Sequence, residues 1–471
     1  MIFLGYAVTL GYVFFLIFAL GPLVQRHTNT ETSRKLIHTG LFLVWVLIDV
    51  FFKDTVHQII IPVIFIVLNA LSYKYDLYKS VERDTGNHKG TIYFAVAITA
   101  VMGAAYFVHE LYYPSGIAAF CLTFGDGAAA LIGYNTSTRK LRDGKSVSGF
   151  LGCIASSALS LLVFRAVYPV SVSVPAVLIV AVSAAVLELV GAGLDNFSVT
   201  FGSFFLSWLL INYESPAMLI GMGTALVIFF VVFFSGSIDY YGALLSMVMV
   251  FCFYYFGGTF GLLYLLGTFF TIFFVAVVRK RLRPELKKEK SRRFIQILIN
   301  GGLGCLFVVL YGLSGELRCL VISVVAIGGC FVDSLSSDVG VLSRAKPYDP
   351  LKRRHVESGI SGGMSRLGTA AALIGSALIG LCTALALRLT AAEGLLVFAL
   401  VFLQTLVDTV LGSAVQVKFS CPVCGCVTEK KEHCGKPAAY LSGVRFIDNN
   451  WVNALSSIII TAAALLIFKN R

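Results

Sequence analysis

Apolar runs of about 18–22 residues, each long enough to cross the ~30 Å hydrocarbon core of a bilayer, recur from Met1 to the end of this 471-residue chain with short polar breaks between them. No water-soluble core absorbs so many. Hydrophobic residues make up 58% of the chain and charged residues 13%, and mean hydropathy is +0.86. Inside a bilayer each backbone N–H and C=O must be satisfied internally, which leaves helices and closed barrels, and the length of the runs selects helices. The expected fold is an all-α, polytopic integral membrane protein with about 14–16 transmembrane helices in two bundles. Among these helices are 38–52, 115–134, 173–190, a short one near 201–212, 319–335 and 393–416. The first run, Met1 to Leu20, has no basic leader and no small-residue cleavage site, and reads as a retained helix.

Lys and Arg number 37 against 25 Asp and Glu, a net charge of +12. The excess sits in the loops Arg26–Lys35, Tyr73–Lys89, Arg139–Lys145, Arg279–Arg293, Arg344–Arg354 and Lys418–Arg445, all on one face if the helices alternate. Positive-inside anchoring explains this charge and makes that face cytoplasmic, so no nucleic-acid partner is inferred. Motif content changes between residue 213 and residue 290, which divides the chain into a module 1–213 and a module 214–471. The second carries a Cys-rich cytoplasmic loop at 417–450. The expected location is the plasma membrane of a prokaryote, with active sites on the cytoplasmic side; nothing in the sequence specifies an oligomer.

Ionisable groups within membrane segments are costly and are functional candidates by default. The first module holds three clusters at cytoplasmic helix ends. One is Glu31-Thr-Ser-Arg34-Lys35-Leu-Ile-His38. The next is Phe124-Gly125-Asp126-Gly127, followed after a polar loop by Asp143-Gly144-Lys145-Ser146-Val-Ser-Gly149. An acid between glycines suits Mg²⁺ with bare backbone near phosphates, and Lys-Ser at a helix start offers a cation, a hydroxyl and N-terminal amides. Together they suggest a nucleoside triphosphate. The P-loop reading fails, because its first glycine would fall on Arg139 and no strand precedes it. The third cluster is Glu188 with Asp195-Asn196, two acids on one helical face if the helix continues.

Taken in order, Arg34-Lys35 with His38, Gly125-Asp126-Gly127, Lys145-Ser146 with Gly149, and Glu188 with Asp195-Asn196 resemble the polyprenol kinases, namely phytol and dolichol kinase. That resemblance implies CTP as phosphoryl donor, a lipid alcohol as acceptor, and a CTP and metal site formed by Asp126, Lys145, Ser146, Glu188, Asp195 and Asn196. The chain lacks the proline expected soon after Asp195-Asn196.

In the second module Gln296 and Asn300 are spaced to share a helix face. Asp333-Ser-Leu-Ser-Ser-Asp338 sets two acids among hydroxyls, suited to Mg²⁺, and the loop Gly359-Ile-Ser361-Gly362-Gly363-Met-Ser-Arg366 opens a helix and suits phosphate. Asp408 lies within an apolar helix and Asp448-Asn449 opens the last one. These runs are similar to the prenyl-phosphate kinase family typified by plant phytyl-phosphate kinase, with Asp338 where a glutamate is expected. The resemblance implies a prenyl phosphate as second substrate.

Cys421-Pro-Val-Cys424-Gly-Cys426 followed by His433-Cys434 has spacing that closes a tetrahedral Zn²⁺ site. Cys421, Cys424, His433 and Cys434 are the expected ligands, with Cys426 a competing thiol; unliganded thiols or a redox pair are the alternatives. A cytosolic disulfide is disfavoured. The combined expectation is a bifunctional, CTP- and Mg²⁺-dependent enzyme converting a prenyl alcohol to its monophosphate and then its diphosphate. The competing readings are a cytidylyltransferase that forms a CDP-lipid and a membrane transporter.

Overall fold

The computed structural model describes residues 1–52, 56–75, 90–136, 138–142, 144–191, 193–283 and 293–469. Asp143, most of the Tyr73–Lys89 loop and residues 284–292 of the Arg279–Arg293 run lie outside them. Of the described residues 77% are helical. Among the described residues twelve helices are long and apolar enough to cross a membrane, and three shorter apolar helices, His57–Leu71, Val174–Val190 and Tyr240–Tyr255, accompany them. The chain divides into two compact units, Met1–Leu219 and Ile220–Arg471.

The first unit is organised around the helical column His109–Asn135. Its apolar window is 67% buried, more than any other span of the unit. Small residues make this possible: Ser115, Gly116, Ala118 and Ala119 let bulky neighbours approach closely. Trp45 and Phe164 pack at Gly116, and Trp45 Nε1 donates to Ser115 Oγ at 3.3 Å. A π-helical segment, Cys121–Asp126, interrupts the column just before Gly127.

In the first unit two boundaries bear on the candidate residues and differ from the sequence expectation. The second span begins at Thr30, because Asn29 caps it by accepting from the Thr32 amide at 2.8 Å. The polar run Glu31–Lys35 is therefore helical, not loop. The helix Val174–Val190 stops before Gly191, and a new helix, Asp195–Tyr213, starts after a turn in which Gly193 takes φ +88°. Glu188 and Asp195 thus sit on two helices, and the one-face argument for them does not hold.

Leu317–Gly340 is the central helix of the second unit, with 78% of its apolar window buried. It packs against Phe294–Ser314, Arg366–Ala386, Ala391–Ala414 and Asn449–Ile467. Val321, Ile322, Val325 and Val332 meet Val397, Val401 and Ile460 in its core. The helix runs on through Asp338 instead of ending near 335, since Asp338 is buried beside Arg279, with Nε and Oδ1 3.4 Å apart. Side chains five positions apart on one continuous helix point about 140° away from each other. Asp333 and Asp338 consequently do not converge as the Mg²⁺ pair their spacing suggested.

These packing contacts make the glycines unequal. A Cβ at Gly116 would lie 2.5 Å from the Trp45 ring and 2.8 Å from Phe164, whereas one at Gly103 meets nothing within 4 Å. Gly116→Ala is expected to destabilise the first unit by about 1–3 kcal/mol through overpacking, and Gly103→Ala to be neutral or to stabilise by ~0.5–1 kcal/mol. Thermal unfolding of the detergent-solubilised chain checks the pair.

Candidate functional site

Five helix ends of the first unit meet at one place. Asp126 ends the π-helical segment, Lys35 sits in the first turns of Thr30–Gly40, and Ser146 caps Val147–Val167. Glu188 lies near the end of Val174–Val190, and Asp195 opens Asp195–Tyr213. Asp126, Glu188 and Asp195 each present a carboxylate oxygen, all within 4.8 Å of one another. Three hard oxygen donors so close suit a divalent cation such as Mg²⁺. Lys145, on a two-stranded hairpin of Lys140–Arg142 and Lys145–Ser146, reaches Glu188 Oε1 at 2.8 Å and Asp195 Oδ2 at 3.7 Å, and also donates to the Glu188 carbonyl.

The other residues expected to bind nucleotide have partners within the bundle. Lys35 Nζ lies 2.6 Å from Asp126 Oδ2, both side chains buried. His38 Nε2 is 3.4 Å from the same oxygen and 3.2 Å from the Leu122 carbonyl, its ring edge-on to Phe94. Arg34 Nε donates to Glu31 at 3.1 Å. Asn196 donates to the Gly90 carbonyl at 2.8 Å. Gly125 faces Ser157 and Cys153, and Gly127 faces Thr39, so these two glycines admit neighbouring side chains and do not bare backbone to a ligand. Lys35 and His38 hold Asp126 in place and Arg34 pairs with Glu31 on its own helix, leaving Lys145 as the cation on Glu188 and Asp195.

The second unit repeats the joint on which this site is built. In the first unit the Gly149 amide donates to Ser146 Oγ at 3.2 Å, and a Cβ at Gly149 would fall 2.5 Å from the Ala129 oxygen and 3.3 Å from Gly133 Cα. In the second, the Gly368 amide donates to Ser365 Oγ at 3.1 Å, and a Cβ at Gly368 would fall 2.7 Å from the Ser336 oxygen and 3.1 Å from Gly340 Cα. Each capping serine donates to the glycine carbonyl of the central helix, Ser146 to Gly133 at 3.5 Å and Ser365 to Gly340 at 3.2 Å. Asp126 precedes Gly133 by the same interval as Asp333 precedes Gly340. The acid in register with Asp126 is therefore Asp333, not Asp338.

Asp408 lies on a helix that runs beside that of Asp333. The helices Leu317–Gly340 and Ala391–Ala414 both end at the loop between 359 and 365, Gly340 against Ser365 and Gly412 against Ser361, so they run in the same direction. They touch where Gly329 meets Gln404, whose amide donates to Cys330 Sγ at 3.2 Å. Asp333 and Asp408 follow one turn later on each helix. Ser456 of the last helix donates to Asp408 at 3.1 Å. Asp448 caps that helix, accepting from the Asn450 and Trp451 amides, with exposed Asn449 beside it. Asn300 is half-buried on Phe294–Ser314, and Arg366 is exposed on the first turn of its helix.

Cys421, Cys424, His433 and Cys434 place one ligand atom each within 4.8 Å of the others; Cys426 is not in the group. The Cys424 backbone N–H directed at Cys421 holds that thiol down to about 6, while the neighbouring Cys424 sulfur pushes Cys434 up to about 11. Burial draws the Lys418 ammonium below the usual lysine range. Lys418 and Glu429, which the motif reading passed over, both grip Ser361. Gly133, Gly340, Ser365 and Gly368 were missed too; their signal is a Ser-x-x-Gly helix start paired with a glycine ending the preceding apolar run.

Residues 223–461 match the family described as integral membrane protein DUF92. Protein PGR of Arabidopsis thaliana is 32% identical over 219 residues, which cover 40% of this chain and 75% of that protein. An uncharacterized membrane protein of Methanocaldococcus jannaschii is 34% identical over 152 residues, 31% of this chain and 62% of that protein. No solved structure matches the chain.

Removing one partner of a buried ion pair strands the other charge. Lys35→Met is expected to destabilise the first unit by about 3–5 kcal/mol, and adding Asp126→Asn to recover part of that loss. A double-mutant cycle of unfolding in detergent checks the coupling.

Proposed function

The chain belongs to the DUF92 family of integral membrane proteins, and we propose, from the geometry of its site, that it is a bifunctional lipid kinase. Its first unit transfers the γ-phosphoryl group of CTP to a prenyl alcohol, and its second converts the prenyl monophosphate to the diphosphate. The proposed setting is the cytoplasmic face of a prokaryotic plasma membrane. The observation that carries this reading is the trio Asp126, Glu188 and Asp195 with Lys145 against it, at the meeting of helix ends.

Phosphoryl transfer demands chiefly alignment and neutralisation of charge. Asp126, Glu188 and Asp195 would hold a Mg²⁺ ion, which would supply neutralisation of phosphate charge. Lys145 adds a positive charge beside the trio, and Ser146 fixes the helix start that carries it. Lys35 and His38 hold Asp126 in register from behind. In the second unit Asp333 and Asp408 take the places of Asp126 and Glu188, next to the helix start at Asp448 and Asn449, and the loop of Ser361, Gly362 and Gly363 flanks the joint. The residue before the capping serine is Met364 where the first unit has Lys145, so Arg366 is assigned the cationic role.

Membranes carrying the wild-type chain, given a panel of prenols and CTP labelled at the γ-phosphate, are expected to place label on lipid monophosphate and then diphosphate. Asp126→Asn and Glu188→Gln each abolish the first step by at least ~100-fold, since the trio loses a charge that faces the triphosphate. Asp333→Asn accumulates monophosphate. Label appearing only in pyrophosphate assigns a cytidylyltransferase instead, and loss of the first step in Asp333→Asn removes the two-site reading.

A further inference from the structure

The sheet that follows the helix Ala391–Ala414 is too small to hold itself together. Its strands, Val427–Thr428, Lys418–Ser420 and Ala439–Ser442, lie in that order, and Glu432–His433 with Lys436–Pro437 forms a separate hairpin. Strands this short need a hydrophobic face to persist, yet Val423, Tyr440 and Leu441 are 57%, 47% and 49% exposed. Small folds lacking a core require a staple.

The four-residue cluster sits where a staple would. His433 Nδ1 is 3.5 Å from Cys424 Sγ and 3.3 Å from Cys434 Sγ, close to the ~3.5–4 Å between ligands of a tetrahedral ion bonded at ~2.1–2.3 Å. Two tight turns present the ligands. At the first, the Val423 amide points at Cys421 Sγ at 3.4 Å, the Cys421 amide donates to the Cys426 carbonyl at 3.0 Å, and Gly425 takes φ +69°. At the second, Cys434 itself takes φ +52° ahead of Gly435 at +74°. A left-handed cysteine is disfavoured, and here it turns Cys434 Sγ back toward His433. Three thiols and an imidazole form a soft donor set that selects Zn²⁺ over Mg²⁺ or Ca²⁺.

The sheet also has a grip. Lys418 Nζ donates to the Ser361 carbonyl at 2.8 Å, and the Ser361 amide donates to Glu429 Oε1 at 2.6 Å. Both backbone groups of one loop residue are thereby held, by Lys418 of one strand and by Glu429 just past its neighbour, where Phe419 lies opposite Thr428. Gly362, at φ +92°, then passes against the Ser413 backbone, where a Cβ would come within 2.7 Å.

We propose that Cys421, Cys424, His433 and Cys434 bind one structural Zn²⁺, and that this ion braces the Ser361–Gly363 loop through Lys418 and Glu429. The brace goes beyond the kinase reading and does not depend on what the loop binds.

The test uses the full chain purified in detergent without chelator, with metal analysis and hydrogen exchange as readouts. About one Zn²⁺ per chain is expected; Cys424→Ser loses it and Cys426→Ser keeps it. Removing zinc with a chelator speeds exchange of amides 359–365 about tenfold or more while peptides of the first unit and of Ala391–Ala414 keep their protection. Glu429→Gln speeds the same segment with zinc still bound. Metal-free native protein, or equal zinc loss in Cys424→Ser and Cys426→Ser, overturns the site. Unchanged exchange at 359–365 after zinc removal, or a rise spread over the whole second unit, overturns the brace.

Discussion

A carboxylate carried into the interior of a membrane bundle must find its counter-charge there, because neither lipid nor water supplies one. Asp126 finds Lys35, and much of the first unit follows from that pairing. It draws the polar run Glu31–Lys35 into the start of a membrane helix. It requires small residues at 125 and 127, so that neighbouring helices can close around the acid. It also leaves Lys145 as the cation for the other two acids. The second unit has a buried charge contact of its own at another position, Arg279 lying beside Asp338.

Helix number, membrane character and the acidic clusters were legible in the sequence, since run length and isolated charges in apolar segments follow from bilayer thickness and desolvation alone. The cysteine cluster was legible for the same kind of reason: four soft ligands at short spacing have few other uses. What could not be read was direction. Asp333 and Asp338 look like a pair along the chain, yet the helix continues through both and sends them to different sides. Conversely Glu188 and Asp195 were placed together on the premise of an unbroken helix, and they meet because the helix breaks at Gly191. Lys35 reads as a nucleotide ligand until its distant partner, Asp126, is known. Spacing identifies a shared face only once helix continuity is known.

The recurrence of one joint in both units separates scaffold from specificity. Serine cap, facing glycines and an acid at fixed remove are common to both. The residue before the cap and the extra loop differ: Lys145 against Met364, and a Cys-rich sheet after the second unit's helix Ala391–Ala414.

The π-helical segment Cys121–Asp126 bears on how such a site tolerates insertion and deletion. The central helix of the second unit passes the equivalent stretch as regular α-helix, yet both acids keep the same interval to their joint glycine. A residue gained upstream is taken up as a local widening of the helix, so the phase of the acid is counted backward from the joint and not forward from the start of the span. The apolar half of the column is thus free to drift in length with the thickness of its membrane, while the polar end stays in step.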